Sequence, residues 1–218
     1  MEEAYRRAVE KYDHRAGVED IEEALAQFEA LGDYGDAEKY AAKCRTLLKY
    51  APGRVAVMGA WDGKPIRWRV IAERGKQRLL FAENAAARHP YCDRLIDATW
   101  STCGLRRWLN DEFLKGAFTA EERAHIMFSK VENAPSAKYW TNGGPNTTDR
   151  LFLLRMEELD EYRVENRELD CWWWTRTPGM SLLSVAAVDR DGSVYEYGIN
   201  NNYADGGVRP AMWILLRV

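Results

Sequence analysis

Cysteine, histidine and net charge are all scarce in this chain. Its 218 residues hold four cysteines, Cys44, Cys92, Cys103 and Cys171, none in a Cys-x-x-Cys pair. A disulfide framework is therefore not expected, and reduced thiols in a cytoplasm fit better. The three histidines, His14, His89 and His125, lie outside any nucleophile motif, and His89, Cys92 and Cys103 lack the paired spacing and fourth ligand of a metal site. No metal and no cofactor is implied. Gly143-Gly144 is not followed by Lys-Ser or Lys-Thr, so no phosphate-cradling loop is present. Lys plus Arg number 31 against 34 Asp plus Glu, a balance that gives no nucleic-acid footprint. No run approaches the roughly 20 apolar residues of a membrane span, and Met1-Glu2-Glu3 does not open an export signal. The expectation is a cytoplasmic chain with neither membrane insertion nor nucleic-acid binding. Asn146-Thr147-Thr148 fits a glycosylation pattern that means little without secretion.

Aromatic residues are abundant instead, with nine Trp and eleven Tyr. Such side chains combine large buried area with a polar handle and suit both an irregular core and a binding face. The first fifty residues have helical periodicity: Ala4, Tyr5, Ala8, Val9 and Tyr12, then Val18, Ile21, Ala24, Leu25, Phe28 and Leu31, then Ala37, Tyr40, Ala41, Cys44, Leu47 and Leu48. Gly32 stops the second helix and Asp36 is placed to cap the third. Ala51-Pro52-Gly53 marks a boundary between a helical appendage, residues 1–50, and a larger domain, residues 52–218.

Beyond Arg54 the period becomes two. Asp62-Gly63 sits between alternating runs, a strong hairpin signal, and Arg78 to Ala82 reads as another strand. Ser101 or Thr102 can cap a helix carrying Leu105, Trp108 and Leu109, and Thr119-Ala120-Glu121-Glu122 has the form of a capping box. Asn133 to Thr148 reads as a long loop, Leu151 to Leu154 as a buried strand and Glu157 to Tyr162 as a helical turn. Ser184 to Asp189 and Ser193 to Tyr197 flank a second hairpin turn, and Met212 to Leu216 closes the sheet. The succession is α+β.

Trp68-Arg69-Val70, Trp100 to Asn110, Leu151 to Leu154, Ala186 to Gly192 and Gly207-Val208-Arg209-Pro210-Ala211 together resemble a bacterial domain family of unknown function whose members look like C-type lectins. Ala24 to Tyr34 resembles one tetratricopeptide-like helical hairpin, which implies docking of a helper protein. The C-type lectin-like resemblance extends to the variable proteins of diversity-generating retroelements, in which a C-terminal segment is rewritten at adenines and Asn codons are favoured targets. It also extends to formylglycine-generating oxidases, whose reactive cysteine pair has one counterpart here, Cys171. The Glu-Pro-Asn and Gln-Pro-Asp motifs of calcium-dependent sugar binding are absent.

The residues themselves place a candidate face in the tail. Tyr, Asn, Ser, Asp and Gly, the types that make adaptable contacts in binding loops, cluster between Trp-rich and Leu/Ile-rich ends. The expected ligand residues are Arg176, Ser181, Leu182, Leu183, Ser184, Tyr195, Tyr197, Asn200, Asn202, Tyr203 and Asp205. Tyr195 and Tyr197, two apart on a strand, share one face and can act as anchors. Trp172 to Trp174 read as a strand buried on both faces, and Arg209 as a donor to backbone carbonyls. The expectation is a noncatalytic binding protein with a macromolecular partner, a protein. The alternatives are an oxidase-like enzyme and a structural docking module.

Overall fold

A computed structural model describes residues 1–218. Three helices come first: α1 Glu2–Asp13, α2 Val18–Leu31 and α3 Ala37–Lys49. Ala8, Tyr12, Ala24, Phe28, Ala41 and Cys44 face inward, and the Phe28 and Tyr40 rings stack with centroids 4.9 Å apart. Ala4, expected in this stripe, is exposed. Gly32 ends α2 with φ of 60°, a conformation that costs glycine little. Asp36 stands at the start of α3 without capping it and instead pairs with Lys39 at 2.7 Å.

The strands follow as β1 Val55–Trp61, β2 Lys64–Arg74, β3 Gln77–Ala82 and β4 Ala87–Arg88. Asp62 and Gly63 both have positive φ and join β1 to β2, as an Asp-Gly turn of the primed type requires. A helical stretch, α4 Gly104–Trp108, runs through a π turn at Leu109–Phe113 into α5 Leu114–Ala117, and α6 Ala120–His125 follows. Neither Ser101 nor Thr102 caps α4. The buried Cys103 does, its Sγ accepting from the Arg106 N–H at 3.4 Å. Thr119 and Glu122 form the reciprocal capping box of α6.

The rest comprises β5 Ser129–Val131, β6 Thr147–Asp149, β7 Phe152–Leu153, α7 Met156–Glu161, β8 Trp173–Pro178, β9 Ser184–Val188, β10 Val194–Asn200, β11 Gly207–Val208 and β12 Pro210–Leu215. Two five-stranded sheets result, ordered β1-β2-β3-β12-β7 and β10-β9-β8-β11-β4, beside a small β5-β6 pair. The class is α+β. The final strand lies between β3 and β7, so the beginning and end of the β-domain share one sheet and the second sheet is built from the chain between them. Every residue of β8 and β9 is buried, with Trp173 and Trp174 fully so, which makes this pair the rigid base of the second sheet. Arg209 lies within the core, its Nε donating to Ala82 O at 2.8 Å and its guanidinium 4.4 Å from the Phe81 ring centre. No helix is long and apolar enough to cross a membrane.

Candidate functional site

The β9–β10 hairpin carries two of the tail's three tyrosines. β10 is the edge strand of its sheet, and its alternation leaves Tyr195 and Tyr197 about half exposed, with ring centroids 6.2 Å apart. The β9–β10 register shifts between Tyr195 and Ile199, and Gly198 adopts φ of 91° at that bulge. Gly179 crosses directly over it. A Cβ on Gly179 would lie 2.5 Å from both Ser184 Oγ and Tyr197 O, so only a glycine lets the 179–183 loop descend this close. Met180 N–H donates to Tyr197 O at 2.9 Å and fixes the loop to the hairpin.

Behind these loops sits Asn201, fully buried between two exposed asparagines. Its Nδ2 donates to Ile96 O at 2.7 Å and to Leu182 O at 3.2 Å. Its backbone completes the knot, since the Asn201 N–H donates to Leu183 O at 3.0 Å and Asn201 O accepts from Cys92 N–H at 2.7 Å. Three segments, 91–98, 180–183 and 199–205, are thereby held together by one side chain and its backbone. Asn200, Asn202, Tyr203 and Asp205 point to solvent from the last of them, while Leu183 and Met180 expose apolar surface from the second.

Two of the expected ligand residues are buried. Arg176 is buried in β8 and forms a forked pair with Glu158 of α7, both N–O distances 2.6 Å, while its Nη2 donates to Glu132 O at 3.1 Å. It clamps α7 to the sheet and does not reach the loop face, because a guanidinium desolvated this far requires a carboxylate beside it. Ser184 is buried too, its Oγ donating to Ser181 O at 3.2 Å, so its hydroxyl is used in shaping the loop. Ser181 and Leu182 are partly covered.

The 134–144 loop adds residues that the tail alone did not suggest. Tyr139 meets Tyr197 edge-on at 6.3 Å, and Thr141 Oγ1 donates to Met180 O at 3.0 Å. Trp140 is 82% exposed and has φ of 58°, an uncommon backbone state for a bulky side chain. Leu95 and Ile96 are likewise exposed, beside Leu182. The available signal was an aromatic pair inside a loop of Asn, Gly, Pro and Thr.

A concavity of about 370 Å³ opens between the β1–β2 turn and the segment from Asn84 to Arg88, with Asp170 and Cys171 among its lining residues. Lys64, Arg67 and Arg88 bring positive charge to it, and Asp62 and Asp170 negative. All four cysteines are free and buried, and burial pushes each thiol up, that of Cys103 to about 12. No three His, Cys, Asp or Glu side chains are grouped closely enough to hold a metal ion. The His89 ring instead stacks on Trp108 at 4.5 Å.

Residues 75–216, from the turn before β3 to the end of β12, match the family described as Domain of unknown function (DUF6273). The chain belongs to this family. The DUF6273 match takes in both loops of the candidate face, the Asn201 knot and the Tyr139–Trp140 loop, and leaves out α1 to α3, β1 and all of β2. No curated protein and no solved structure matches the chain. β2 nevertheless pairs with β3 along most of its length, so the folded DUF6273 domain of this chain begins earlier than the match.

Proposed function

We propose that this DUF6273 protein is a noncatalytic binding protein. Its β-domain is C-type lectin-like, and its tail displays a variable face to a macromolecular partner, a protein, in the manner of diversity-generating retroelement targets. The tetratricopeptide-like helices α1 to α3 give a helper protein a place to dock, and the four free thiols suit a reducing cytoplasm.

One observation carries the reading: in Asn200-Asn201-Asn202 the middle residue is buried and knotted into three loops, while its neighbours are exposed with no side-chain bond to the protein. Exposed positions on a backbone fixed from beneath are positions whose side chains can change without unfolding the domain. Tyr195, Tyr197 and Tyr203, each about half exposed, supply rigid amphipathic rings of the type that dominates binding energy at interfaces. The oxidase-like alternative needs a reactive thiolate, and burial holds Cys171 in its neutral form.

The test is tolerance. A library randomised at Tyr195, Tyr197, Asn200, Asn202 and Tyr203 is expected to yield mostly folded members, with melting temperatures within about 5 °C of the parent. It is also expected to contain binders to unrelated proteins. General loss of folding would place these side chains in the framework and end the proposal. A near-copy of the tail's coding segment, differing at adenines and lying beside a reverse-transcriptase gene, would supply independent support.

A further inference from the structure

The 134–144 loop already brings a cation to the aromatic face. Lys138 Nζ lies 5.6 Å from the centre of the Tyr139 ring and 3.5 Å from Glu196 Oε2. Strand alternation sends Glu196 to the side of β10 opposite Tyr195 and Tyr197. Because β10 is an edge strand, Lys138 meets that carboxylate around the open edge, while Tyr139 turns to Tyr197 on the tyrosine side. Rings and a carboxylate thus flank one margin of the sheet.

The resident ammonium is loosely held. Its side chain is 57% exposed, Glu196 is 39% exposed, and the pair is long. Exposed ion pairs of this kind contribute little, since solvent screens them and ordering two flexible side chains opposes them. A guanidinium from outside has more to gain. It can present two parallel N–H donors to the Glu196 carboxylate and lie flat on a tyrosine or tryptophan ring, which an ammonium cannot do. Trp140, next to Tyr139 in sequence and 82% exposed, offers the ring type that attracts cations most strongly. A hydrogen-bonded turn fixes its backbone, with Trp140 N–H donating to Ser136 O at 2.9 Å and Ser136 N–H to Thr141 O at 2.9 Å.

We propose that Glu196 and the loop rings of Tyr139 and Trp140 form a receptor for an arginine side chain on the partner protein, with Lys138 as the internal occupant that the arginine displaces. The proposal rests on the binding face described above and specifies its ligand chemistry. Trp140 and Tyr139 lie outside the tail, so this part of the face stays constant while Tyr195, Asn200, Asn202 and Tyr203 vary around it.

The full chain is titrated with short glycine-serine peptides that carry arginine, citrulline or glutamate at the same positions, followed by tryptophan fluorescence and calorimetry. The arginine peptide is expected to saturate at millimolar concentration or below, with citrulline and glutamate peptides at least about tenfold weaker. Glu196→Gln should weaken the arginine peptide about tenfold, and Lys138→Ala should tighten it about threefold, both without a change in melting temperature. Equal binding of all three peptides, no saturable binding of the arginine peptide, or indifference to Glu196→Gln each overturns the proposal. Library variants that keep Glu196 and Trp140 yet bind acidic targets would also overturn it while leaving the variable-face reading intact. Collapse of the library itself would remove that broader reading.

Discussion

Asn201 Nδ2 reaches across the base of the candidate face to Ile96 O at 2.7 Å, joining segments more than a hundred residues apart in sequence. Neighbouring Asn200 and Asn202 make no comparable side-chain bond. Asn201→Ala removes donors to Ile96 O and Leu182 O, but it also removes a buried Oδ1 that has no partner, which moderates the loss. The expected cost is about 1–2 kcal/mol, against less than about 0.5 kcal/mol for Asn200→Ala or Asn202→Ala. Urea unfolding of the three variants checks the contrast. The Ala98 amide, which donates to Leu182 O, should exchange faster in Asn201→Ala alone.

Gly206 and Gly207 allow the tail to pass the tryptophans at close range. A Cβ on Gly206 would overlap the Trp174 indole nitrogen and stand 2.5 Å from the Trp172 ring; one on Gly207 would stand 2.8 Å from Cys171 Sγ. Both tryptophan rings are bulky and Trp174 is fully buried, so neither can retreat cheaply. Gly206→Ala is expected to destabilise by about 2–3 kcal/mol, read as a fall in melting temperature with loss of near-ultraviolet circular dichroism.

The local signals of this fold were legible where a short-range rule has one outcome. Asp62-Gly63 required a tight hairpin, Thr119 to Glu122 required a capping box, and the Leu/Ile-rich end required a strand, and all three formed. Failures came where a distant partner decides. Arg176 sits in a Thr-Arg-Thr-Pro run that looks like the approach to a loop, and only the fold reveals Glu158 waiting beside it. Cys103 took the cap expected of Ser101 or Thr102 because its thiol, packed inside, was the group facing the free Arg106 N–H. The parallel pairing of β11 with β8, which brings the tail under the tryptophans, has no local periodicity to announce it. Part of the face was readable for the same reason: strand alternation alone exposes Tyr195 and Tyr197 together, whereas the 134–144 loop joins them only through tertiary contact.

Burial of Cys103 makes stability depend on alkaline pH. Its folded value of about 12 lies above the usual 9.0, so above pH 9 the unfolded chain loses a proton that the folded chain keeps. Stability from this group is complete below pH 9 and falls as pH rises toward 12, by about 1.4 kcal/mol per pH unit at most. Urea midpoints at pH 8 and pH 10 measure the fall, and Cys103→Ala should reduce it, the three other raised thiols keeping part of the slope, although loss of the α4 cap lowers the starting point. Buried Tyr91 is raised for the same reason and adds to the slope only above pH 10.

The thiols also separate binding from cysteine chemistry. With all four buried and raised, iodoacetamide at neutral pH should label the native chain slowly, and every site should react once urea unfolds it. Rapid labelling of Cys171 in the native chain would instead mean a thiolate in the cleft beside Arg88 and Lys64, and it would favour an oxidase-like reaction there.

Deleting residues 1–50 distinguishes a docking appendage from an essential part of the β-domain. Few polar ties cross the boundary: Arg54 pairs with Glu22 at 2.7 Å and Arg78 Nε donates to Tyr50 O at 2.9 Å. A cavity of about 560 Å³ lined by Val18, Ile21, Leu47, Glu73 and Arg78 separates other parts of the two regions. One apolar cluster still takes in residues of both the helices and the β-domain, so the truncation must uncover some of it. All nine tryptophans lie beyond the deleted segment, which makes their near-ultraviolet spectrum a direct report on the β-domain. That spectrum and arginine-peptide binding are expected to survive the deletion, with a melting temperature lower by about 5–10 °C. Loss of the tryptophan signal would show that α1 to α3 are part of the frame that holds the face, and the helper-docking role assigned to them would then be withdrawn.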